Sequence, residues 1–438
     1  MTASNATEPH RIVIVGGGAG GIELATGLGR SLGRTHRAEV ILVDGASTHI
    51  WKPLLHEVAT GALNTGEDEV NYFAHAWRNG YRFEYGWMTG LDREHKQIVL
   101  AEVRDEDGTV MTEPRTLRYD TLVIAVGAVA NDFGTPGAAE HCMFLNTPTD
   151  AERLRKRILA LTFAASAHAN PATPLRIAII GAGPTGVELA AEIHHTICEL
   201  HHYGSNFTPA QLEITLIEAG DRILGAAPPA LADYARAELE KRRIQVFTHR
   251  RVAEVQPGNV VLADGTVLAV DVAVWAAGVK ASPWLAELGL AVNRQNQIEV
   301  TTTLQTLTDP DVFAMGDCSS APDGEGGKPL SATAQVAHQE AEWLTKALGD
   351  KLAGRAVKPF EFRPQGIMVS LGKHTAVGSL AAIVGPKRNY YVEGRGAKLI
   401  YASLYRIHQA SVHGWVLTAL LWMGDKLRRV ARPAIKLH

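Results

Sequence analysis

Cysteine is scarce in this chain. Cys142, Cys198 and Cys318 stand far apart in 438 residues, odd in number and without a C-x-x-C spacing. That excludes a paired-thiol redox centre and a cysteine-based zinc site, and it fits a reducing compartment. Low-complexity tracts and repeats are also missing, and the glycines sit in turns with no period. No apolar run approaches the roughly 20 residues that a bilayer-crossing helix needs. The longest, 415–423, has nine residues and contains Thr418. The polar N-terminal stretch lacks the basic region, apolar core and cleavage site of a secretory signal. A formal charge of −3 offers no reason to expect a nucleic-acid partner. With 46% hydrophobic residues, the chain can bury two to three cores at roughly 150 residues per domain.

What the chain does have is a glycine turn, met twice. Gly181-Ala182-Gly183-Pro184-Thr185-Gly186-Val187-Glu188 follows the apolar run 177–180 and opens an Ala/Leu/Glu pattern of helical spacing, 187–197. Strand, turn and helix in that order make a dinucleotide cradle. Gly181 permits the tight turn, Gly183 lets a pyrophosphate approach the backbone, and Gly186 lets the helix pack on the strand. The helix N-terminus then faces the phosphates with free N–H groups and its positive dipole end. Gly16-Gly17-Gly18-Ala19-Gly20-Gly21 stands in the same context, between a strand at 11–15 and a helix at 22–32. Two cradles predict an α/β protein with two Rossmann-like domains, holding two dinucleotides and passing electrons between them.

Each cradle has an acid at the end of its second strand. Asp44 follows 40–43, 28 residues after Gly16, and the polar loop 33–39 explains why this exceeds the usual spacing of about 20. Glu218 follows 212–217. An acid there accepts ribose hydroxyls and repels a 2′-phosphate, which predicts NADH over NADPH, with Arg222 close enough to oppose it. The strands 119–126 and 272–277 end at Gly127 and Gly278, where a cofactor can lie close. Lys52 reads either as a phosphate or flavin partner or as a solvated lysine. Glu188 reads either as a surface acid favoured by the helix dipole or, beside a nicotinamide, as a group that affects hydride or proton transfer. The stretch Asp311-Val312-Phe313-Ala314-Met315-Gly316-Asp317-Cys318 runs a strand into a Gly-Asp turn, whose aspartate can hydrogen-bond a ribityl chain or flavin phosphate.

Together these features resemble the type II NADH:quinone oxidoreductase family. The resemblance spans nearly the whole chain. It rests on both cradles, Lys52-Pro53-Leu54-Leu55, Trp275-Ala276-Ala277-Gly278-Val279, the Gly316-Asp317 turn and the helix Ala334-Gln335-Val336-Ala337-His338-Gln339. It implies non-covalent FAD in the first fold, NADH in the second and a membrane quinone beside the Ala-Gln-x-Ala-x-Gln helix. The implied FAD residues are Gly16, Gly17, Gly18, Ala19, Gly20, Gly21, Asp44, Lys52, Met88, Ala125, Gly127, Asp317, Ala334 and Gln335. The implied NADH residues are Gly181, Gly183, Pro184, Thr185, Gly186, Glu188, Glu218 and Gly278. Gln335 and Gln339 become quinone-side residues, and Glu188 the acid between the nicotinamide and quinone pockets. By spacing alone the two glutamines are ordinary i, i+4 helix polars. Asp44 departs mildly from the Glu of many relatives and shortens the ribose contact. The implied reaction takes a hydride from NADH to FAD and then two electrons to the quinone, with no proton pumping and no metal.

The expected segments are 1–146 (FAD, first part), 147–281 (NADH), 282–390 (FAD, second part, with the quinone helix) and 391–438. From Arg395 onward eight Lys/Arg face one acid, a local balance of +7 that leaves −10 for the remainder. Tyr401, Leu404, Tyr405, Val412, Trp415, Val416, Leu420, Met423 and Leu427 recur there at helical spacing. This reads as an amphipathic helix pair lying in a membrane interface, with Lys426, Arg428, Arg429, Arg432 and Lys436 at anionic head groups. The alternative is a docking or homodimerisation helix. His408 and His413, five apart, fall on different helix faces. The expected place is the cytoplasmic face of the inner membrane, as a peripheral protein. Three other functions share the two folds. A soluble NADH-dependent reductase of a ferredoxin or rubredoxin-type carrier has no use for the basic tail. A sulfide:quinone oxidoreductase needs reactive cysteines near the flavin. A slow NAD(H)-sensing regulator needs neither.

Overall fold

The computed structural model describes residues 8–105, 107–167, 174–324, 326–373, 375–381 and 389–431. Contacts divide the chain into two compact units. The first is Met1–Trp51, Glu69–Val129 and Val279–Arg363; the second is Lys52–Asp68, Ala130–Gly278 and Pro364–His438. Their parallel strands are β1 (His10–Val15), β2 (Ala38–Asp44), β3 (Arg82–Tyr85), β4 (Thr121–Ile124), β5 (Cys142–Phe144), β6 (Leu175–Ile180), β7 (Leu212–Ile217), β8 (Gln245–Phe247), β9 (Val272–Trp275) and β10 (Val312–Ala314). The helices that carry function are α1 (Ala19–Leu28), α2 (Leu55–Thr60), α3 (Pro184–His202), α4 (Ala334–Leu352), α5 (Gly394–His413) and α6 (Trp415–Ala431).

The first unit is built on a five-stranded sheet in the order β10-β4-β1-β2-β3. Ile12 stands opposite Val40, and Ile14 opposite both Leu42 and Val123. These strands are buried on both faces, which is why they read as continuous apolar runs rather than alternating ones. From β1 the chain winds outward one way to β2 and β3, then the other way to β4 and β10. The crevice at the C-terminal ends of β1 and β4 is therefore the ligand position of this topology. α4 lies on α1. A Cβ on Gly20 would run into Met315 and Ala337, and one on Gly27 into Thr345, so small residues set the close approach of the two helices.

The second unit repeats the plan in the order β5-β9-β6-β7-β8. Ile177 pairs with Ile214, and Ile180 with both Ile217 and Trp275. Each unit also carries a three-stranded antiparallel sheet, Met88–Asp92, Gln97–Leu100 and Arg115–Arg118 in the first, Val252–Gln256, Asn259–Leu262 and Val267–Ala269 in the second. The second unit alone adds the sheet Gly366–Ser370, Ala376–Ala381 and Asn389–Glu393, whose first strand contacts α3 and α5.

These units do not coincide with the segments expected from sequence. Residues 52–68 group with the second unit because α2 packs on α3, where the Thr196 hydroxyl donates to the Thr60 carbonyl at 3.1 Å. Residues 364–390 and the tail group there too, because the added sheet and α5 pack as one body with α3. α5 and α6 form a hairpin hinged at Gly414, and Arg406 pairs with Asp425 across it at 2.6 Å. No described helix is long and apolar enough to cross a membrane.

Candidate functional site

The two cradles superpose in their details. Gly16 and Gly181 take φ of +102° and +101°, values only glycine adopts without strain. A Cβ on Gly16 would collide with the Ala125 backbone, and one on Gly181 with the Ala277 backbone. A Cβ on Gly21 would strike the Gly16 carbonyl oxygen, and one on Gly186 the Gly181 carbonyl oxygen. At the third residue of each cradle the situation reverses. Among the described residues nothing lies within 4 Å of where a Gly18 or Gly183 Cβ would stand, and neither helix has a side-chain cap. Uncapped N–H groups at a helix start beside open backbone suit a pyrophosphate. Pro184 occupies the first turn of α3, and Thr185 is exposed beside it.

The acids after β2 and β7 are bound to their own cradles. Asp44 accepts from the Gly17 N–H at 2.6 Å and the Ala46 N–H at 2.7 Å. Glu218 accepts from the Ala182 N–H at 2.9 Å and the Gly220 N–H at 2.7 Å. Each carboxylate thus pins the second residue of its own cradle. Asp44 is one methylene shorter and still closes the bond. Burial pushes its carboxyl up, and the two N–H bonds pull it back down. Gly17 is held on its other side by the Tyr72 hydroxyl and by His49, which bond its carbonyl at 2.6 and 2.9 Å. Arg222 does not stand free for a 2′-phosphate, because its guanidinium donates to the Gly225 and Ala227 carbonyls of its own loop.

Ala125 and Met88 are buried in the first unit, and Gly127 is in the left-handed region at φ +71°. In the second unit the Trp275 indole N–H donates to the Asn131 and Ala277 carbonyls at 2.7 and 3.1 Å. The Phe133 ring occupies the space a Gly278 Cβ would need. Lys52 is exposed and belongs to the second unit by its contacts, not to the fold of the first cradle.

Glu188 is not a surface acid. It is 6% exposed, on the face of α3 turned to the core, and accepts from the Ser370 N–H at 3.0 Å. The Tyr401 hydroxyl bonds it as well, and the His56 Nδ1 lies 3.6 Å away. Burial pushes its carboxyl up to about 8. Glu192, one turn on, is also buried, and its carboxyl is pushed up to about 7 for the same reason. His56 moves the other way, down to about 3 through burial, so the imidazole is neutral, and its Nε2 has no partner among the described residues. Lys398 donates to the Ser370 hydroxyl at 2.6 Å and lies over the Tyr401 ring. Sequence reasoning reached Glu188 alone. The i, i+4 spacing signals Glu192, whereas Ser370, Lys398 and Tyr401 arrive from remote segments without a local motif.

In the first unit, Thr333 caps α4 by accepting from the Val336 N–H. Ala334, Gln335 and Gln339 are half-buried on it. The Gln339 amide clamps the Arg363 backbone, donating to its carbonyl at 2.8 Å and accepting from its N–H at 2.9 Å. His338 bonds Glu23 of α1 at 2.5 Å, which raises the imidazole. Glu340, fully buried, accepts from the Gly316 N–H at 2.6 Å and so holds the Gly316–Asp317 turn; burial pushes its carboxyl up to about 8. The Asp317 carbonyl accepts from Gln297 at 3.1 Å.

The tail is not one stripe. Val412, His408 and Ala410 of α5 are buried, whereas Trp415, Val416, Leu420, Met423 and Leu427 of α6 are exposed. Lys426 sits 3.9 Å over the Trp422 ring. Arg432 and Lys436, expected at head groups, lie outside the described residues, as do the side chains of Arg428 and Arg429. Among the described residues no group of His, Cys, Asp or Glu could hold a metal ion.

Two cradles, each with its second residue pinned by an acid from the next strand, define a pyridine nucleotide oxidoreductase. The Pyridine nucleotide-disulphide oxidoreductase family matches residues 10–341. A type II NADH:quinone oxidoreductase of Haemophilus influenzae is 40% identical over 98% of this chain and 99% of its own. The type II NADH:quinone oxidoreductase NdhA of Mycobacterium tuberculosis is 30% identical over 93% and 86%. The chain belongs to the type II NADH:quinone oxidoreductase family. Among solved structures, NDH2 of Plasmodium falciparum in complex with NADH matches with a TM-score of 0.79 at 20% identity, covering 98% of this chain and 100% of that one. The sulfide:quinone oxidoreductase of Aquifex aeolicus matches at 0.72 and 18% identity over 92% of both chains, so fold alone does not separate the two activities.

Proposed function

We propose that this chain oxidises NADH and passes two electrons to a membrane quinone, with FAD as the bound carrier and without pumping protons. The observation that carries the reading is the doubled cradle, with its doubled acid, in a chain of this family. Both cradles fit a dinucleotide, because open backbone at Gly18 and Gly183 meets uncapped helix ends. When bound, FAD supplies the redox chemistry that nicotinamide and quinone share. The chain's own part is to hold, orient and move protons. Residues 1–146 and 282–390 form the flavin side, through residues 16–21, Asp44, Lys52, Met88, Ala125, Gly127, Asp317, Ala334 and Gln335. Residues 147–281 form the NADH side, through Gly181, Gly183, Pro184, Thr185, Gly186, Glu188, Glu218 and Gly278. Glu218 repels a 2′-phosphate, and with Arg222 turned to its own loop NADH is favoured over NADPH. Glu188 holds a proton close to neutral pH. Gln335 and Gln339 are the quinone-side amides.

Buried thiols count against persulfide chemistry. Cys142 and Cys318 are pushed up to about 12 by burial, and the Cys318 thiol donates to the Met315 carbonyl. Activated thiols are exposed and depressed instead. The exposed apolar face of α6, with Trp415, Trp422 and Lys426, supports a peripheral membrane position, and we assign it to the cytoplasmic side. Truncation after Glu393 would strip Lys398 and Tyr401 from Glu188, so truncation after Gly414 is the cleaner cut. It is expected to release the protein from anionic vesicles while activity with ferricyanide survives; unchanged vesicle sedimentation would leave a docking helix. For the activity itself, acid precipitation is expected to free yellow flavin, and NADH oxidation to rise on adding a short-chain quinone. Protein without flavin, or oxidation indifferent to quinone and driven by ferredoxin, would sink the proposal.

A further inference from the structure

Trp87 stands at the ligand end of the first unit, and none of the roles above uses it. It lies two residues beyond β3, at the C-terminal edge of the parallel sheet, where open α/β sheets take their ligands. The Gly86 N–H donates to the Asp44 carbonyl at 2.9 Å, which anchors this turn to the acid strand. A Cβ on Gly45 would fall within the Trp87 indole. Gly45 is thus the seat of the ring, one residue from the carboxylate assigned to the ribose. Although seated, the indole is 63% exposed. The fold itself does not ask for an aromatic ring there. In the second unit the matching bond runs from the Arg250 N–H to the Glu218 carbonyl, also at 2.9 Å, and the next residue is Arg251. A flat apolar ring, fixed on one side and open on the other, offers a π-face on which a purine can stack.

We propose that the Trp87 indole is the stacking platform for the adenine ring of the dinucleotide at the first cradle. This rests on the reading that FAD occupies that cradle. Stacking needs no hydrogen bond from the indole, so another aromatic ring can substitute for it. The platform holds the adenine end in place, away from the reacting ring system, and so acts on retention of the dinucleotide rather than on electron transfer.

The test uses the full chain stripped of flavin and then titrated with FAD, with ADP as a competitor that carries the adenine end alone. Trp87→Ala is expected to weaken FAD binding about tenfold or more, and Trp87→Phe by no more than about threefold. The inhibition constant of ADP against FAD uptake should rise in Trp87→Ala by a similar factor. Tryptophan emission quenched by FAD in the wild type should lose a measurable share in Trp87→Phe. Wild-type protein that takes no FAD would sink the cradle reading and the platform together. Wild-type uptake of FAD with Trp87→Ala binding as tightly, or with Trp87→Phe as weak as Trp87→Ala, would overturn the platform alone.

Discussion

The two Rossmann units share a cradle and differ in what the following helix meets. In both, the first glycine is left-handed, the glycine at the sixth residue leaves room for the first one's carbonyl, and an acid one strand later bonds the second residue of the turn. Beyond that the units part. α1 buries Glu23 against His338 of α4, a pair that is charge-assisted and locally satisfied. α3 buries Glu188, where burial outweighs the bonds from Ser370 and Tyr401, and Glu192, where burial dominates, so both carboxyls are pushed up towards neutrality. The helix after the first cradle hides its acid by pairing it, and the helix after the second by keeping its acids protonated. The lesson is that the cradle specifies a dinucleotide, and the surroundings of its helix specify whether protons can be handled close by.

This comparison breaks most sharply at the sixth residue of each cradle. Gly21→Val drives a side chain onto the Gly16 carbonyl, and Gly186→Val onto the Gly181 carbonyl. The first is expected to yield protein without flavin. The second should keep its flavin and be reduced by NADH about a hundredfold more slowly or worse. Flavin content and rapid-mixing reduction read the two; equal flavin loss in both variants would erase the division of labour between cradles.

The acids come next in size. Glu218→Ala is expected to lower kcat/KM for NADH by about thirtyfold, roughly 2 kcal/mol, and that for NADPH far less. Because the carboxylate also pins Ala182 and Gly220, Glu218→Gln, which keeps an acceptor, should recover part of the loss. Equal kcat/KM for the two nucleotides in the wild type would hand control to Arg222.

The smallest effect sharpens the contrast between a paired and a protonated acid. Glu188 and Glu340 keep their protons in the folded chain until about pH 8, whereas unfolded they ionise near 4.5. The unfolded state then binds fewer protons, so their contribution makes stability fall as pH rises from about 4.5 to 8. His56, held neutral down to about 3 against 6.5 unfolded, acts in the opposite sense below pH 6.5. Between pH 6.5 and 8 the acids act without it. Denaturant unfolding should show stability declining across that window, with a shallower decline in Glu188→Gln. The same variant is expected to slow quinone reduction several-fold and to remove the alkaline limb of its pH profile. Identical slopes and identical half-reaction rates would mean that Glu188 titrates normally and handles no proton.

Much of this protein was legible residue by residue. The strand at 11–15 is observed as His10–Val15, the strand at 212–217 as Leu212–Ile217, and the helix at 187–197 inside Pro184–His202. Glycine turns and buried parallel strands are written in neighbouring residues, because φ preference, helix spacing and apolar runs act over a few positions. Asp44 and Glu218 were legible as acids at the ends of the second strands. Their grip on Gly17 and Ala182 was not, since it depends on where β2 and β7 lie beside their cradles. Only the tertiary structure buried Glu188, because its bond to Ser370 spans 182 residues and its tyrosine comes from the tail. It likewise turned Gln339 onto Arg363 and split the tail's periodic stripe between a packed α5 and an exposed α6. Helical period reports which residues share a face. What that face meets is decided by distant segments, and burial, with the proton affinity it governs, follows from them.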